Sequence, residues 1–105
     1  MIKTLESNVG WEDRRMDITT KTAVVTGGAN GIGAAISRRL AEEGCVVGVF
    51  DLDADAGGQV VDAIKSAGGR ASLHVVDISD YDAVQRAVAD FEAASGSTAF
   101  LVNNA

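Results

Sequence analysis

The sequence predicts a single α/β domain in which a parallel β-sheet carries helices on its faces. Four short apolar runs rich in β-branched residues alternate with three helical patterns, which is typical of parallel strands joined by helical crossovers. The connections are short, and the 105 residues contain no proline. Glycine and asparagine cluster after the predicted strands. We therefore expect an open, doubly wound sheet of order 3-2-1-4, with a ligand site beyond the carboxyl ends of its first and fourth strands.

The strands are predicted from short runs rich in apolar residues, and the first two runs are continuous enough to be buried on both faces of the sheet. Continuous runs are typical of strands buried on both faces of a parallel sheet. The four runs cover residues 22–26, 46–50, 71–76 and 99–103. The sequence ends two residues after the fourth run, so the sheet is expected to be truncated after its fourth strand.

Apolar residues at helical spacing predict the three helices and the face that each turns toward the sheet. In the first helix this face comprises Ile32, Ala35, Ile36 and Leu40. In the second helix, predicted over residues 54–67, it comprises Val60, Ile64 and Ala67. In the third helix it comprises Val84, Ala87, Val88 and Phe91. Asp80 is placed to cap the start of the third helix, and glycines at 44, 68 and 96 supply stop signals.

Residues 1–21 precede the regular pattern and are predicted to form an N-terminal tail or a loosely docked arm, with Trp11 as an anchor. The segment shows neither clean periodicity nor a strong turn pattern. Met16 stands just before the domain begins, which suggests the hypothesis that it is the true start and that residues 1–15 are an upstream extension. The mass of the native protein distinguishes the two starts.

Composition and charge exclude several classes of protein. With 47% hydrophobic and 23% charged residues, the chain has the make-up of a soluble globular domain. The net charge of −6 disfavours nucleic acid and anionic membranes as partners, because both select a basic face. Polar and charged residues near the N-terminus exclude a secretory signal, and no apolar run reaches the length of a membrane span. We expect a cytosolic protein.

The chain has one cysteine and one histidine, which makes a metal site improbable. His74 lies within a predicted strand and is expected to be an ordinary sheet residue. Cys45 is expected to be a small buried residue. We therefore predict no metal ligand and no disulfide.

A glycine-rich segment of pattern GxxxGxG joins the first strand to the first helix. Gly27 lets the chain turn sharply off the strand, Gly31 lets a pyrophosphate approach the backbone, and Gly33 lets the helix pack closely on the sheet. The unpaired N–H groups and the positive end of the helix then face the phosphates. No Gly-Lys-Ser/Thr follows, so it is not a nucleoside-triphosphatase loop. The alternative is that these glycines serve only the turn.

Asp51 ends the second strand, 20 positions after Gly31, where a dinucleotide-binding fold places the acid that binds the adenosine ribose. The same carboxylate would oppose the 2′-phosphate of NADP, since two charges about 4 Å apart interact by about 1 kcal/mol in water and about 4 kcal/mol at an intermediate dielectric. No basic residue follows in the glycine segment or directly after Asp51. NAD is therefore favoured over NADP. The alternative is a solvated acid at a strand end.

These residues resemble those of the short-chain dehydrogenase/reductase family. TGGANGIG at 26–33 resembles its TGxxxGxG loop, and Asn103-Asn104-Ala105 resembles the first three residues of its NNAG segment. Asp77, after the third strand, is similar to its adenine-binding acid. The resemblance covers residues 22–105 and implies a partial, Rossmann-like NAD-binding domain.

The family's binding residues carry over to matching positions on the phosphate and ribose side. The resemblance implies that the pyrophosphate is bound by the backbone of Asn30, Gly31, Ile32 and Gly33, with Ile32 nearest to it. It further implies that Asp51 binds the adenosine ribose together with the backbone of Leu52.

The resemblance also implies roles at the adenine and nicotinamide ends. Asp77 would accept a hydrogen bond from the adenine amino group, and the Ile78 amide would donate one to the ring. Asn103 would lie near the nicotinamide-side ribose, and Ala105 belongs to the same segment. Asn104 would mainly brace the sheet.

The family's catalytic residues have no counterpart in this sequence. They are a tyrosine, a lysine four residues later and an upstream serine, whereas the single tyrosine, Tyr81, is followed at that distance by Gln85. The resemblance implies an NAD-dependent oxidoreductase that interconverts secondary alcohols and ketones, active and homo-oligomeric only as a full-length form. The alternatives are a non-catalytic NAD-binding or interaction module and a truncated, inactive product.

Overall fold

The computed structural model describes residues 21–104, which form a four-stranded parallel sheet and three helices. The elements in chain order are β1 (Thr22–Thr26), α1 (Gly31–Glu42), β2 (Val46–Asp51), α2 (Ala54–Ser66), β3 (Arg70–Val75), α3 (Tyr81–Ser95) and β4 (Thr98–Asn103). The strand order β3-β2-β1-β4 confirms the predicted topology. Each strand end lies within one residue of its prediction.

Some predictions fall outside the described residues. These are the N-terminal tail, its Trp11 anchor, the start at Met16 and the role of Ala105. Within residues 21–104, no helix has the length and apolarity needed to span a membrane.

The register of the sheet aligns the carboxyl ends of its two central strands with that of β4. Thr26, the last residue of β1, is paired with Phe50 of β2 on one side and with Asn103 of β4 on the other. Asp51 follows at the end of β2 and is paired with Val75. The glycine segment therefore leaves β1 between Asp51 and Asn103, as the topology predicts.

Helices cover the two faces of the sheet unequally. α1 and α2 pack on a large core that includes alternate residues of β1 and β2 (Ala23, Val25, Val47 and Val49). α3 packs on the other face, over a small core of Val24, Phe50, Val76 and Phe91. Of the α3 side chains only Phe91 is fully buried, so α3 is the less firmly attached helix.

The buried face predicted for α1 is correct for Leu40 and in part for Ile36, which packs against the core, but wrong for Ile32 and Ala35. Ile32 is 72% exposed, Ala35 is exposed and Ile36 is only half-buried, whereas Leu40 is buried as predicted. The face that packs on the sheet comprises Gly33, Ala34, Ser37, Leu40 and Ala41. Small residues occupy it because α1 runs close to the glycine segment at its first turn.

The faces of the other two helices agree with the prediction except at Ala67. Val60 and Ile64 are buried, but Ala67 is exposed, since it is the C-terminal cap of α2. The side chain of Asp80 caps α3 by accepting a hydrogen bond from the Ala83 amide. Gly44, Gly68 and Gly96 all have positive φ angles just after the helices, which confirms the predicted stop signals.

Candidate functional site

The loop between β1 and α1 has a conformation that glycine alone permits at its key positions. Gly27 (φ 66°) and Gly31 (φ 55°) lie in the left-handed region, and the Gly27 amide donates to the Phe50 carbonyl at 2.8 Å. A Cβ on Gly33 would lie 1.9 Å from the Gly27 carbonyl oxygen, closer than any real contact. Gly31 faces open space. The loop is therefore compact on its inner side and accessible at Gly31.

The N-terminus of α1 differs from those of α2 and α3 because no side chain caps it. Asn30 occupies the cap position without a side-chain hydrogen bond, whereas Asp53 caps α2 and Asp80 caps α3. The first turns of α2 and α3 each contain an acid, and that of α1 contains none. The free amides and the positive end of α1 are thus available to an anion at the carboxyl edge of the sheet.

Asp51 lies directly against this loop. Its Oδ2 accepts a hydrogen bond from the Ala29 amide at 3.1 Å, and its Oδ1 accepts one from the Asp53 amide at 3.0 Å. A carboxylate has about four acceptor positions in all. Each oxygen of Asp51 can therefore accept a further hydrogen bond, for example from a sugar hydroxyl.

A cleft of about 170 Å³ opens beside Asp51. It is lined by Gly27, Asp51, Leu52, Val76 and Ile78. The lining contains no basic side chain, and apart from the carboxylate it is apolar. Apolar walls around a few convergent polar groups are typical of small-molecule sites. Leu52 and Ile78, predicted as binding residues, are thus brought together with Asp51.

Asp77 is placed differently from these residues. Its Oδ1 accepts hydrogen bonds from the Ser79 amide at 2.9 Å and the Ser79 hydroxyl at 2.6 Å, and the hydroxyl is the main reason why its pKa is lowered. Asp77 lines a neighbouring groove on the α3 side, together with His74 and Arg86. The structure does not bring its carboxylate into the cleft beside Asp51, so its role at adenine stays a prediction.

The end of β4 is joined to the glycine loop from the opposite side. The Thr26 hydroxyl accepts a hydrogen bond from the Asn104 amide at 3.1 Å and lies 3.2 Å from Asn103 Oδ1. The Asn104 side chain donates to the Gly27 carbonyl at 3.2 Å. Asn104 therefore braces the loop as well as the sheet, while the exposed Asn103 is available beside it.

Sequence reasoning assigned no role to four residues that shape the site. These are Thr26, Ala29, Ser37 and Val76. The fully buried Ser37 donates through its hydroxyl to the Gly33 carbonyl at 2.9 Å. The sequence offers a signal for two of them, since Thr26 is a threonine at the end of an apolar strand and Ser37 is a serine within a helix. No feature of the sequence indicates the role of the Ala29 amide.

His74 and Cys45 lie away from the loop. His74 Nε2 is 2.9 Å from the Ser72 hydroxyl, and its ring centroid lies 4.9 Å from that of Phe50 and 5.6 Å from that of Phe91. Burial lowers the pKa of His74 and raises that of Cys45. Among the described residues, no group of three His, Cys, Asp or Glu side chains is arranged to hold a metal ion.

Comparison with known proteins identifies relatives of the chain. Residues 21–105 match the family model for short chain dehydrogenase. An uncharacterized oxidoreductase of Bacillus subtilis, YxbG, is 39% identical over 88 residues, which are 84% of this chain and 32% of the relative. The chain thus spans about a third of that protein's length.

Solved structures of dehydrogenases and oxidoreductases also resemble this chain. A dehydrogenase/reductase from Sinorhizobium meliloti superposes with a TM-score of 0.81 at 42% identity, over 85% of this chain and 36% of the other. A metagenomic short-chain oxidoreductase in complex with NADP superposes with a TM-score of 0.80 at 39% identity, over 86% and 41%.

Proposed function

The chain belongs to the short-chain dehydrogenase family, and we propose that it is the dinucleotide-binding part of an oxidoreductase that prefers NAD. The observation that carries this proposal is the position of Asp51, whose carboxylate lies against the glycine loop in a cleft with no basic lining residue. The chain covers about a third of its relatives, so the activity of the whole protein is part of the proposal.

The described residues fit a dinucleotide along its length. The uncapped amides from Gly31 to Gly33 would bind the pyrophosphate, and Asp51 would accept from the adenosine ribose. The adenine would lie between Leu52 and Ile78; the predicted contact of Asp77 with its exocyclic amine would require the Asp77 carboxylate to turn from Ser79 toward this cleft. Asn103 would lie toward the nicotinamide-side ribose. The uncapped amides, the Asp51 carboxylate and the apolar walls of Leu52 and Ile78 support these roles.

The preference for NAD follows from charge. A 2′-phosphate on the adenosine ribose would meet the Asp51 carboxylate at a separation of about 4 Å, a repulsion of about 1–4 kcal/mol depending on solvent screening. Among the described residues, three arginines engage groups other than this cleft: Arg39 pairs with Glu43, Arg70 donates to the Gly44 carbonyl and Arg86 lines the groove beside α3. Because one similar structure was solved in complex with NADP, the preference between NAD and NADP is the part of the proposal to test.

The proposed reaction is the oxidation of a secondary alcohol to a ketone, or its reverse. The nicotinamide of a bound dinucleotide would take a hydride from the carbinol carbon, while the hydroxyl proton leaves to a base. Residues of this chain would bind and orient the dinucleotide. The sequence contains no tyrosine followed four residues later by lysine, so we assign the proton transfer to no residue of this chain.

Calorimetric titration of the chain with NAD and NADP tests the proposal. We expect NAD to bind about tenfold tighter or more, the ratio that corresponds to about 1.4 kcal/mol. In Asp51→Ala the preference should move toward NADP by about the same factor. Asp55→Ala is the matched control, because it removes the same charge from the exposed first turn of α2, outside the cleft.

Two results would contradict the proposal. One is folded wild-type chain that binds neither dinucleotide. The other is an NAD to NADP ratio that Asp51→Ala leaves unchanged, or that Asp55→Ala changes equally.

A further inference from the structure

The carboxylate of Asp51 makes a contact that binding of a ribose does not require. Its Oδ2 accepts a hydrogen bond from the amide of Ala29, at the centre of the glycine loop, at 3.1 Å. We infer that Asp51 is a positioning residue for the phosphate-binding loop as well as a ribose ligand. For its effect on binding, this inference rests on the proposed function.

At the centre of the loop, the Gly28 carbonyl accepts a hydrogen bond from the Ser37 hydroxyl at 3.4 Å, whereas the Ala29 amide depends on Asp51. The Gly27 amide is held by the Phe50 carbonyl, and the Gly27 carbonyl by the Asn104 side chain. From Gly31 onward the chain is helical. Between these points the Ala29 residue is only 4% exposed. Its amide takes part in a part-buried hydrogen bond with Asp51 and has no backbone partner among the turn and loop hydrogen bonds. Without Asp51 that donor would lose this acceptor.

Asp51 is itself fixed on its other side. Its Oδ1 accepts from the Asp53 amide, and its backbone carbonyl accepts from the Val76 amide at 3.1 Å. The carboxylate therefore cannot rotate freely, and Oδ2 stays directed at the loop. The end of β2 thus determines where the loop lies, and with it the direction of the amides at the start of α1.

The consequence concerns variants designed to accept NADP. Removing Asp51 relieves the repulsion with a 2′-phosphate but also releases the Ala29 amide. We expect Asp51→Ala to weaken binding of the pyrophosphate in both dinucleotides, so that selectivity changes while overall affinity falls. Asp51→Asn removes the same charge but retains one oxygen that can accept from Ala29.

Amide hydrogen exchange of the full chain, followed by NMR without a ligand, tests the contact itself. In the wild type the Ala29 amide should be protected. In Asp51→Ala its exchange should accelerate by about tenfold or more, while the Gly27 amide, which bonds Phe50, stays protected. Asp77→Ala is the control for loss of a carboxylate at this edge, because Asp77 bonds Ser79 and not the loop; it should leave Ala29 protected.

The effect on binding is tested with the 2′,3′-dideoxyadenosine form of NAD, which lacks the hydroxyls that Asp51 would bind. Asp51→Asn should bind this probe about fivefold tighter than Asp51→Ala, since the two differ in the acceptor and not in charge. If Asp51 acts through the ribose alone, the two variants bind the probe equally, and the inference fails.

The exchange measurement also separates the inference from the proposed function. Unchanged exchange at Ala29 in Asp51→Ala overturns the inference even if NAD binds as proposed. Uniform acceleration of the β1 and β2 amides also overturns it, because Asp51 would then support the whole sheet. Selective acceleration at Ala29 supports it even in a chain that binds no dinucleotide.

Discussion

Replacing Gly33 with alanine is expected to disrupt both the fold and the proposed binding site. The new Cβ would lie 1.9 Å from the Gly27 carbonyl oxygen and 2.6 Å from the Asn104 side-chain nitrogen. Real Cβ contacts are essentially never shorter than 3.0 Å, so the loop and the helix must separate by about 1 Å. The Gly27 carbonyl is backbone and cannot rotate away as a flexible side chain would.

This displacement determines how much the free energy of unfolding falls. Forcing a methyl group into a packed interior destabilises a protein by about 1–3 kcal/mol, and a backbone obstacle places Gly33→Ala near the upper end. The hydrogen bond from Asn104 to Gly27 is also disturbed, because the new Cβ would displace both of its partners. Because the loop carries the amides that would bind the pyrophosphate, we expect the displacement to lower the proposed affinity for NAD as well.

Gly58→Ala is the matched control. Gly58 also lies within a helix, but a Cβ there meets nothing within 4 Å, so the substitution should stabilise α2 by up to about 1 kcal/mol through helix propensity. Urea unfolding followed by circular dichroism gives both free energies of unfolding, and calorimetry gives the affinity for NAD. A Gly33→Ala chain as stable as Gly58→Ala, with unchanged affinity, would refute the reasoning.

Three further outcomes concern α3 and the strands beneath it. Because burial lowers the pKa of His74 below 6.5, the folded state favours the neutral ring; this contribution to stability is complete above pH 6.5 and is lost as the pH falls toward the folded pKa. Urea unfolding at pH 7.5 and 5.5 should show the loss in the wild type and a smaller one in His74→Phe. Phe91→Ala should cost about 3–5 kcal/mol, measured by the same method, since Phe91 is the one fully buried side chain of α3; an effect below about 1 kcal/mol would mean that the small core contributes little. Asp80→Ala should cost about 1 kcal/mol through loss of the bond to the Ala83 amide, and thermal unfolding with no shift would contradict that capping role.

The strands could be predicted closely because each is a short run rich in apolar residues, flanked by glycine or polar residues. In such runs the hydrophobic pattern and the β-strand propensity of the residues indicate the same structure. Because the strands alternate with helices, only a few topologies are then possible. The carboxyl edge of the sheet, and hence the meeting of Gly27, Asp51 and Asn103, follows from the topology without any side-chain information.

The packing of α1 could not be predicted in the same way. Hydrophobic spacing selects Ile32 and Ile36 because they are large and apolar, but the structure turns Gly33 and Ser37 toward the loop and sheet. The face that α1 turns inward is determined by how close the Gly27 carbonyl lies to Gly33. The spacing of residues along the sequence does not contain that distance. The contact from Asp51 to the Ala29 amide was missed for the same reason, since a backbone donor has no signature in the sequence.

The pairing of β1 with β4 also has a consequence for folding during synthesis. β1 lies between β2 and β4, yet Thr26 is paired with Asn103, almost the whole domain later in the chain. At ribosomal speeds of about 5–20 residues per second, the hydrogen-bonding edge that β1 presents to β4 waits several seconds for its partner. This long-range pairing makes strand closure a late event, so the nascent β1 edge stays open to a chaperone or a second nascent chain throughout that interval.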